Sequence, residues 1–185
     1  MKVYFVTSNK DKILEAKSVF GDGLETYDLD LEEIQSMDIE KVAKSKALEA
    51  YKIVGKPLFV EDTAAYLECM HGFPGPFVKW MLATAGTAGI AKTADRLGNA
   101  RMVASVAVAF YDGKRMKAFS ASLKGRVAKK PAGREGFGFD FIFIPEGYSK
   151  TFAQLGKEVK NRISPRSAAL RKLKRHLEKT RYSIL

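Results

Sequence analysis

Apolar and polar positions change period several times along the chain, and each change marks an element. Val3-Tyr4-Phe5-Val6 is a short apolar run of the kind a buried strand makes. The period then lengthens, with Ile13, Ala16 and Phe20 on one helical stripe that Gly21-Asp22-Gly23 stops. Leu24 to Leu29 is expected as a second strand. A helix follows from about Ile39 to Val54, with Val42, Ala43, Ala47, Ala50 and Val54 on its buried stripe and Gly55-Lys56-Pro57 ending it. Leu58-Phe59-Val60 is a short apolar strand, expected to end at Glu61-Asp62-Thr63. After the turn Gly72-Phe73-Pro74-Gly75-Pro76 come two helical stretches, about Phe77 to Ala83 and Thr87 to Leu97.

The clearest hairpin lies beyond them. Met102, Ala104, Val106, Val108 and Phe110 alternate with a second face, and Asp112-Gly113 is a turn signal before a returning strand, Met116 to Leu123. A glycine-rich loop, Gly133 to Gly138, leads to an expected strand at Phe141-Ile142-Phe143-Ile144. The last helix is expected from Ser164 to about Lys179. Strands interleaved with helices, plus a long hairpin, give an α/β fold around a mixed sheet. The pattern leaves the strand order open.

At 185 residues the chain is most simply one domain spanning 1–185, or two lobes sharing a sheet. No stretch approaches the ~20 consecutive apolar residues of a membrane span. The first residues lack the apolar run and cleavage site of a signal peptide. Cys69 is the single cysteine, which excludes an intrachain disulfide and a cysteine-based zinc site. A cytoplasmic protein is expected.

Charge narrows the class of partner. The formal net charge is +11, from 32 basic and 21 acidic residues, which favours anionic partners. The excess gathers around Arg126 to Arg134 and in the last helix, whereas Asp28 to Glu40 is acidic. A nucleic-acid-binding protein is the competing reading. No RNA-binding signature supports it, because aromatic and basic residues do not interleave on a strand face. The string Gly133-x-x-Gly136-x-Gly138 precedes a strand rather than a helix, which argues against a dinucleotide site.

Thr7-Ser8-Asn9-Lys10-Asp11-Lys12 carries the first specific chemistry. A strand turning sharply into a helix capped by Asn9 presents backbone N–H groups and the positive end of a helix dipole. Hydroxyls and Lys12 at that spot suit a phosphate. Carboxylates are the second ingredient: Glu61 and Asp62 follow a buried strand, and Glu33 lies in the acidic segment. Magnesium is usually shared between one or two carboxylates and substrate phosphates.

These pieces, with Glu33-Ile34-Gln35, Val60-Glu61-Asp62-Thr63, Phe73-Pro74-Gly75-Pro76-Phe77-Val78-Lys79-Trp80, Gly136-Phe137-Gly138-Phe139-Asp140, Thr151-Phe152-Ala153 and Lys160-Asn161, occur in order from residue 5 to about residue 170. Together they resemble the inosine triphosphate pyrophosphatase family, also called Ham1-like non-standard purine nucleoside triphosphatases. The resemblance implies hydrolysis of ITP, dITP and XTP to the monophosphate and pyrophosphate by a magnesium-dependent homodimer. It implies an elongated mixed sheet flanked by helices, in two lobes with a central nucleotide cleft. Neither nucleic acid nor membrane is expected as a partner.

By position, the resemblance gives Thr7, Ser8, Asn9 and Lys12, helped by Lys46 and Lys79, to the triphosphate, and counts Lys10, Asp11 and Thr63 among the substrate-binding residues. Glu33 and Asp62 would hold magnesium with Glu61 in support, and Asp62 would activate the attacking water. Phe137, Gly138 and Phe139 would pack on the purine, Asp140 would anchor it, and Lys160, Ser164, Pro165 and Arg166 would line its edge. Each has a plainer rival: Lys46 as a polar helix face, Lys79 and Trp80 as helix surface and core, Phe137 and Phe139 as core, Arg166 as one more charge on a basic helix.

The pattern breaks at Ser164-Pro165-Arg166, where the family usually has Ser-His-Arg. Proline opens a helix well but supplies neither an imidazole nor an N–H, so a hydrogen bond to the base would be missing and base preference could shift. Ala64-Ala65 after Thr63 and Phe141 after Asp140 are smaller departures. His71 and His176 are expected at the surface.

Overall fold

Strand β1 (Tyr4–Val6) runs into helix α1 (Lys10–Phe20), and strand β2 (Thr26–Tyr27) and helix α2 (Ile39–Val54) follow in a computed structural model that describes residues 1–184. Asn9 caps α1, its side chain accepting from the Lys12 N–H at 3.1 Å, so the sharp turn read from the sequence is present. Asp38 caps α2 by accepting from the N–H groups of Glu40 and Lys41, and Gly55 ends it in the left-handed conformation. The buried stripe of α2 is Ile39, Val42, Ala43, Ala47 and Ala50. Leu24 to Leu29 makes only the short strand β2, the flanking residues being irregular.

Strand β3 (Leu58–Leu67) is the main departure from the pattern. It was expected to stop at the acids, yet it continues through Glu61, Asp62 and Thr63. A ladder needs backbone groups only, so the acids do not end it; the charge of Glu61 is met by Arg166 and Lys12, whereas Asp62 is buried less well compensated. Strand β4 (Pro74–Gly75) pairs antiparallel with β3, Ala65 opposite Gly75. Helix α3 (Val78–Arg96) is interrupted at Gly86 (φ 65°, ψ 175°), reproducing the two helical stretches read from the sequence.

The hairpin is present as β5 (Arg101–Tyr111) and β6 (Met116–Val127), with the Asp112 carboxylate accepting from the N–H groups of Lys114 and Arg115 in the turn. Phe141–Ile144 is not one strand: a short 3₁₀ turn, Gly138–Phe141, precedes β7 (Phe143–Pro145). Helix α4 (Phe152–Ile163), absent from the sequence reading, is separated by Ser164 alone from α5 (Pro165–Glu178).

The seven strands form one mixed sheet in the order β2-β1-β3-β5-β6-β7, with β4 beside β3. β1 is parallel to β2 and to β3, whereas β6 and β7 are antiparallel. The chain divides into two units, the first made of Met1–Asp62, Val106–Ala121 and the residues from Arg166 on, the second of Thr63–Ser105 and Ser122–Pro165. In the first, Phe5 and Phe59 stack at 4.5 Å among Ala16, Phe20, Val108, Leu170 and Leu173. Each such buried phenyl contributes about 1.5–3 kcal/mol. In the second, Leu67, Ile90, Met102, Val127, Phe143 and Phe152 form a separate core. Among the described residues no helix is long and apolar enough to cross a membrane.

Candidate active site

Side chains alternate across a strand, so β3 sends Glu61 and Asp62 to opposite faces. Glu61 shares the face of Phe59, under α1 and α5. Its two oxygens accept from Arg166 Nε at 3.0 and 2.9 Å, and Lys12 Nζ lies 3.2 Å from Oε1. Arg166 also donates from Nη1 to Glu15 at 2.6 Å. Lys12, Glu15, Glu61 and Arg166 thus make a buried array of alternating charge. Burial pushes the Glu61 carboxyl up, but Arg166 and Lys12 outweigh it and hold it below the usual carboxylate range. Burial, helped by Arg166 and Lys46 and opposed by Glu61, lowers Lys12. Arg166, buried yet facing Glu61 and Glu15, is raised.

Asp62 faces α2 instead. Lys46 Nζ lies 3.8 Å from Asp62 Oδ1 and makes a short ion pair with Glu33 Oε1. Asp62 Oδ2 is buried with no hydrogen-bond partner among the described residues. Burial, reinforced by Glu33 and Glu61 and opposed by Lys46 and Lys12, raises the Asp62 carboxyl to about 6. A buried carboxylate oxygen without a donor, beside a second carboxylate and an ammonium, fits a hard cation with oxygen ligands. Among the described residues no three His, Cys, Asp or Glu side chains gather to hold a metal by themselves. Here the sequence-predicted Glu33, Asp62 and Lys46 come together, while Lys12 pairs with Glu61 and reaches Asp62 only through its charge.

The loop before α1 completes this part of the first unit. Thr7 Oγ1 accepts from the Asn9 N–H at 3.2 Å, fixing the turn, and the Thr7 N–H donates to the Tyr27 carbonyl. Ser8, Lys10 and Asp11 are exposed around the helix start.

The second unit holds a different set. Lys160, on α4 and buried, donates to Asp140 Oδ2 at 2.5 Å and lies 4.3 Å from the centre of the Phe137 ring. The same oxygen of Asp140 accepts from the Phe137 N–H at 2.9 Å. Gly136 makes this possible: at φ +142° a Cβ there would come within 2.9 Å of the Asp140 carboxylate. Phe137 is half-buried, whereas Phe139 packs into the core beside Phe143. Gly138 opens the 3₁₀ turn. Ser164 and Pro165 are buried at the start of α5, and Thr63 is half-buried in β3. Lys79 is exposed in the first turn of α3, 5.7 Å from the Trp80 ring, and Trp80 is exposed rather than core.

A profile of the Ham1 family matches residues 3–176. The chain belongs to the Ham1 family. It is 41% identical, over 92% of its length and 93% of the relative's, to a dITP/XTP pyrophosphatase of Methanopyrus kandleri. It is 40% identical, over 95% and 96%, to a dITP/XTP pyrophosphatase of Ignicoccus hospitalis. A HAM1 protein of Coxiella burnetii shares the fold, with a TM-score of 0.84 over 97% of this chain and 100% of that one, at 23% identity.

Within this Ham1-family chain, two expected site residues lie apart from their expected companions. Glu61 pairs with Arg166 and Lys12 on one face of β3, while Lys46 bridges Asp62 and Glu33 on the other. Arg166, expected at the base edge, is buried against carboxylates of the first unit. Glu15 was missed; its only signal is its place one turn beyond Lys12 on α1. His71 is exposed, but His176 is half-buried against Phe110 and Phe119, and burial together with Lys117 lowers it.

Proposed function

We propose that this chain is a nucleoside triphosphate pyrophosphatase that hydrolyses dITP, XTP and ITP to the nucleoside monophosphate and pyrophosphate. The observation that carries the chemistry is Asp62, a buried carboxylate raised to about 6, with one oxygen lacking a partner among the described residues and Lys46 bridging it to Glu33. The names of the relatives at 40–41% identity support the substrate class.

In this reading the N-terminus of α1, with Thr7, Ser8, Asn9 and Lys12, binds phosphate oxygens, helped by Lys46 and Lys79. Glu33 and Asp62 would hold magnesium, which supplies charge neutralisation when bound. Asp62 takes a proton from the water that attacks the α-phosphorus. The new P–O bond forms as the α–β anhydride breaks, and pyrophosphate leaves. Glu61 and Arg166 keep Lys12 aimed and the α1 start rigid, a positioning role. Phe137 packs on the purine, and Asp140, Lys160 and Ser164 recognise it. Pro165 adds no hydrogen-bonding side chain, so less of the base's edge is read at this end. The resemblance further supports a homodimer working in the cytoplasm.

The test is pyrophosphate release with magnesium from ITP, dITP, XTP, GTP and ATP. The native chain is expected to prefer the first three. Asp62→Asn is expected to lose about 10²–10⁴-fold in kcat. Pyrophosphate formation that survives Asp62→Asn intact would refute the mechanism.

A further inference from the structure

We propose that Lys46 is the resident counter-cation of the Glu33–Asp62 pair, and that a divalent metal must displace its ammonium to bind. The inference rests on the reading of Glu33 and Asp62 as the metal's carboxylates and adds a role for the lysine before any nucleotide arrives.

Glu33 belongs to an irregular acidic segment, whereas Asp62 is fixed in β3. Two carboxylates from separate elements repel, and Glu33 is among the groups that raise Asp62. Lys46 reaches both from α2, tightly to Glu33 and loosely, at 3.8 Å, to Asp62 Oδ1. It therefore holds the two acids near one another as a cation would, but with a single charge and without using Asp62 Oδ2. A lysine suits an exchangeable contact, being a compact, strongly hydrated charge on a flexible stem. Displaced from the carboxylates, the ammonium is left without its partners at the moment when phosphate oxygens can take it. Metal alone thus binds against a bound cation, whereas metal with a triphosphate gives that cation a new anion. The consequence is positive coupling between the two ligands, carried by one side chain.

Manganese titrations of the full chain test this by calorimetry, with and without a triphosphate analogue whose α–β bridge cannot be hydrolysed. Lys46→Met is expected to bind manganese alone on the order of tenfold more tightly than the native chain, because the competing charge is gone. The analogue should tighten manganese binding in the native chain and do so much less in Lys46→Met. Lys46→Arg keeps the charge and should bind manganese alone as the native chain does. Without metal, Lys46→Met should melt below the native chain, and manganese should raise its melting temperature more. Manganese affinity in Lys46→Met equal to or weaker than native, with binding abolished by Asp62→Asn, would overturn the counter-cation role and leave the metal reading standing. Undetectable binding by both native and Lys46→Met would overturn it too. Native-like binding by Asp62→Asn would instead remove the metal reading, and this inference with it.

Discussion

Glu61 and Asp62 are adjacent in sequence and opposite in chemistry. Glu61 is held charged by Arg166 and Lys12, whereas burial lifts Asp62 to about 6. An unfolded aspartate releases its proton near 3.8, so the folded, metal-free chain binds an extra proton between that value and about 6. Stability from Asp62 is therefore lost as pH rises through this window, and the loss is complete above it. Followed by urea unfolding in chelator, the native chain should lose ground to Asp62→Asn between about pH 4 and pH 7. Parallel pH profiles would contradict a buried Asp62. Arg166 gives a second prediction. Arg166→Met leaves Glu61 and Glu15 facing each other in the interior, and urea titration should read a loss of about 3–5 kcal/mol. Lys12 and Asp62 were legible because each sits within a local motif. The pairing of Glu61 with Arg166 was not, because 105 residues separate the partners, and the place of Glu15 one turn beyond Lys12 does not by itself single it out.

Among the elements, those with a strong period were read well and those with satisfied exceptions were not. The helix over Ile39–Val54, the break at Gly86 and the hairpin follow from apolar spacing and turn residues. β3 runs past its expected end because its ladder uses backbone groups alone, with the Glu61 charge met by Arg166 across the fold. α4 was hidden by Gly156, whose φ of 81° breaks its period, although the Thr151–Gln154 capping box stood in the sequence. The loop carrying Gly136 offers an element-scale test. Gly136→Ala forces a Cβ against Asp140 and should disturb its contacts with Lys160 and Phe137. Steady-state kinetics should show KM for dITP raised on the order of tenfold with kcat held, the signature of lost uniform binding. A fall in kcat at unchanged KM would place the loop's role in the chemistry instead.

For the molecule as a whole, the +11 charge sets the long-range field. A triphosphate approaching such a surface is steered, and salt removes the steering as the Debye length falls from about 30 Å at 0.01 M to about 8 Å at 0.15 M. kcat/KM for dITP should therefore drop several-fold over that range, measured by initial rates at fixed free magnesium. A flat salt response would mean that the basic residues lie where an approaching nucleotide does not sense them. Fold class and family were legible because the motifs recur in order along the chain; the division into two cores was not, since three strands pass from one unit to the other without a break in composition. The array joining Lys12, Glu15, Glu61 and Arg166 has a further consequence for the order of synthesis. A ribosome adds about 5–20 residues per second, so Arg166 follows Glu61 by roughly 5–20 seconds. Throughout that interval the nascent first unit holds acids whose neutralising arginine does not yet exist, and its interior cannot close around them. The unit that begins the chain is therefore among the last parts of it to be finished.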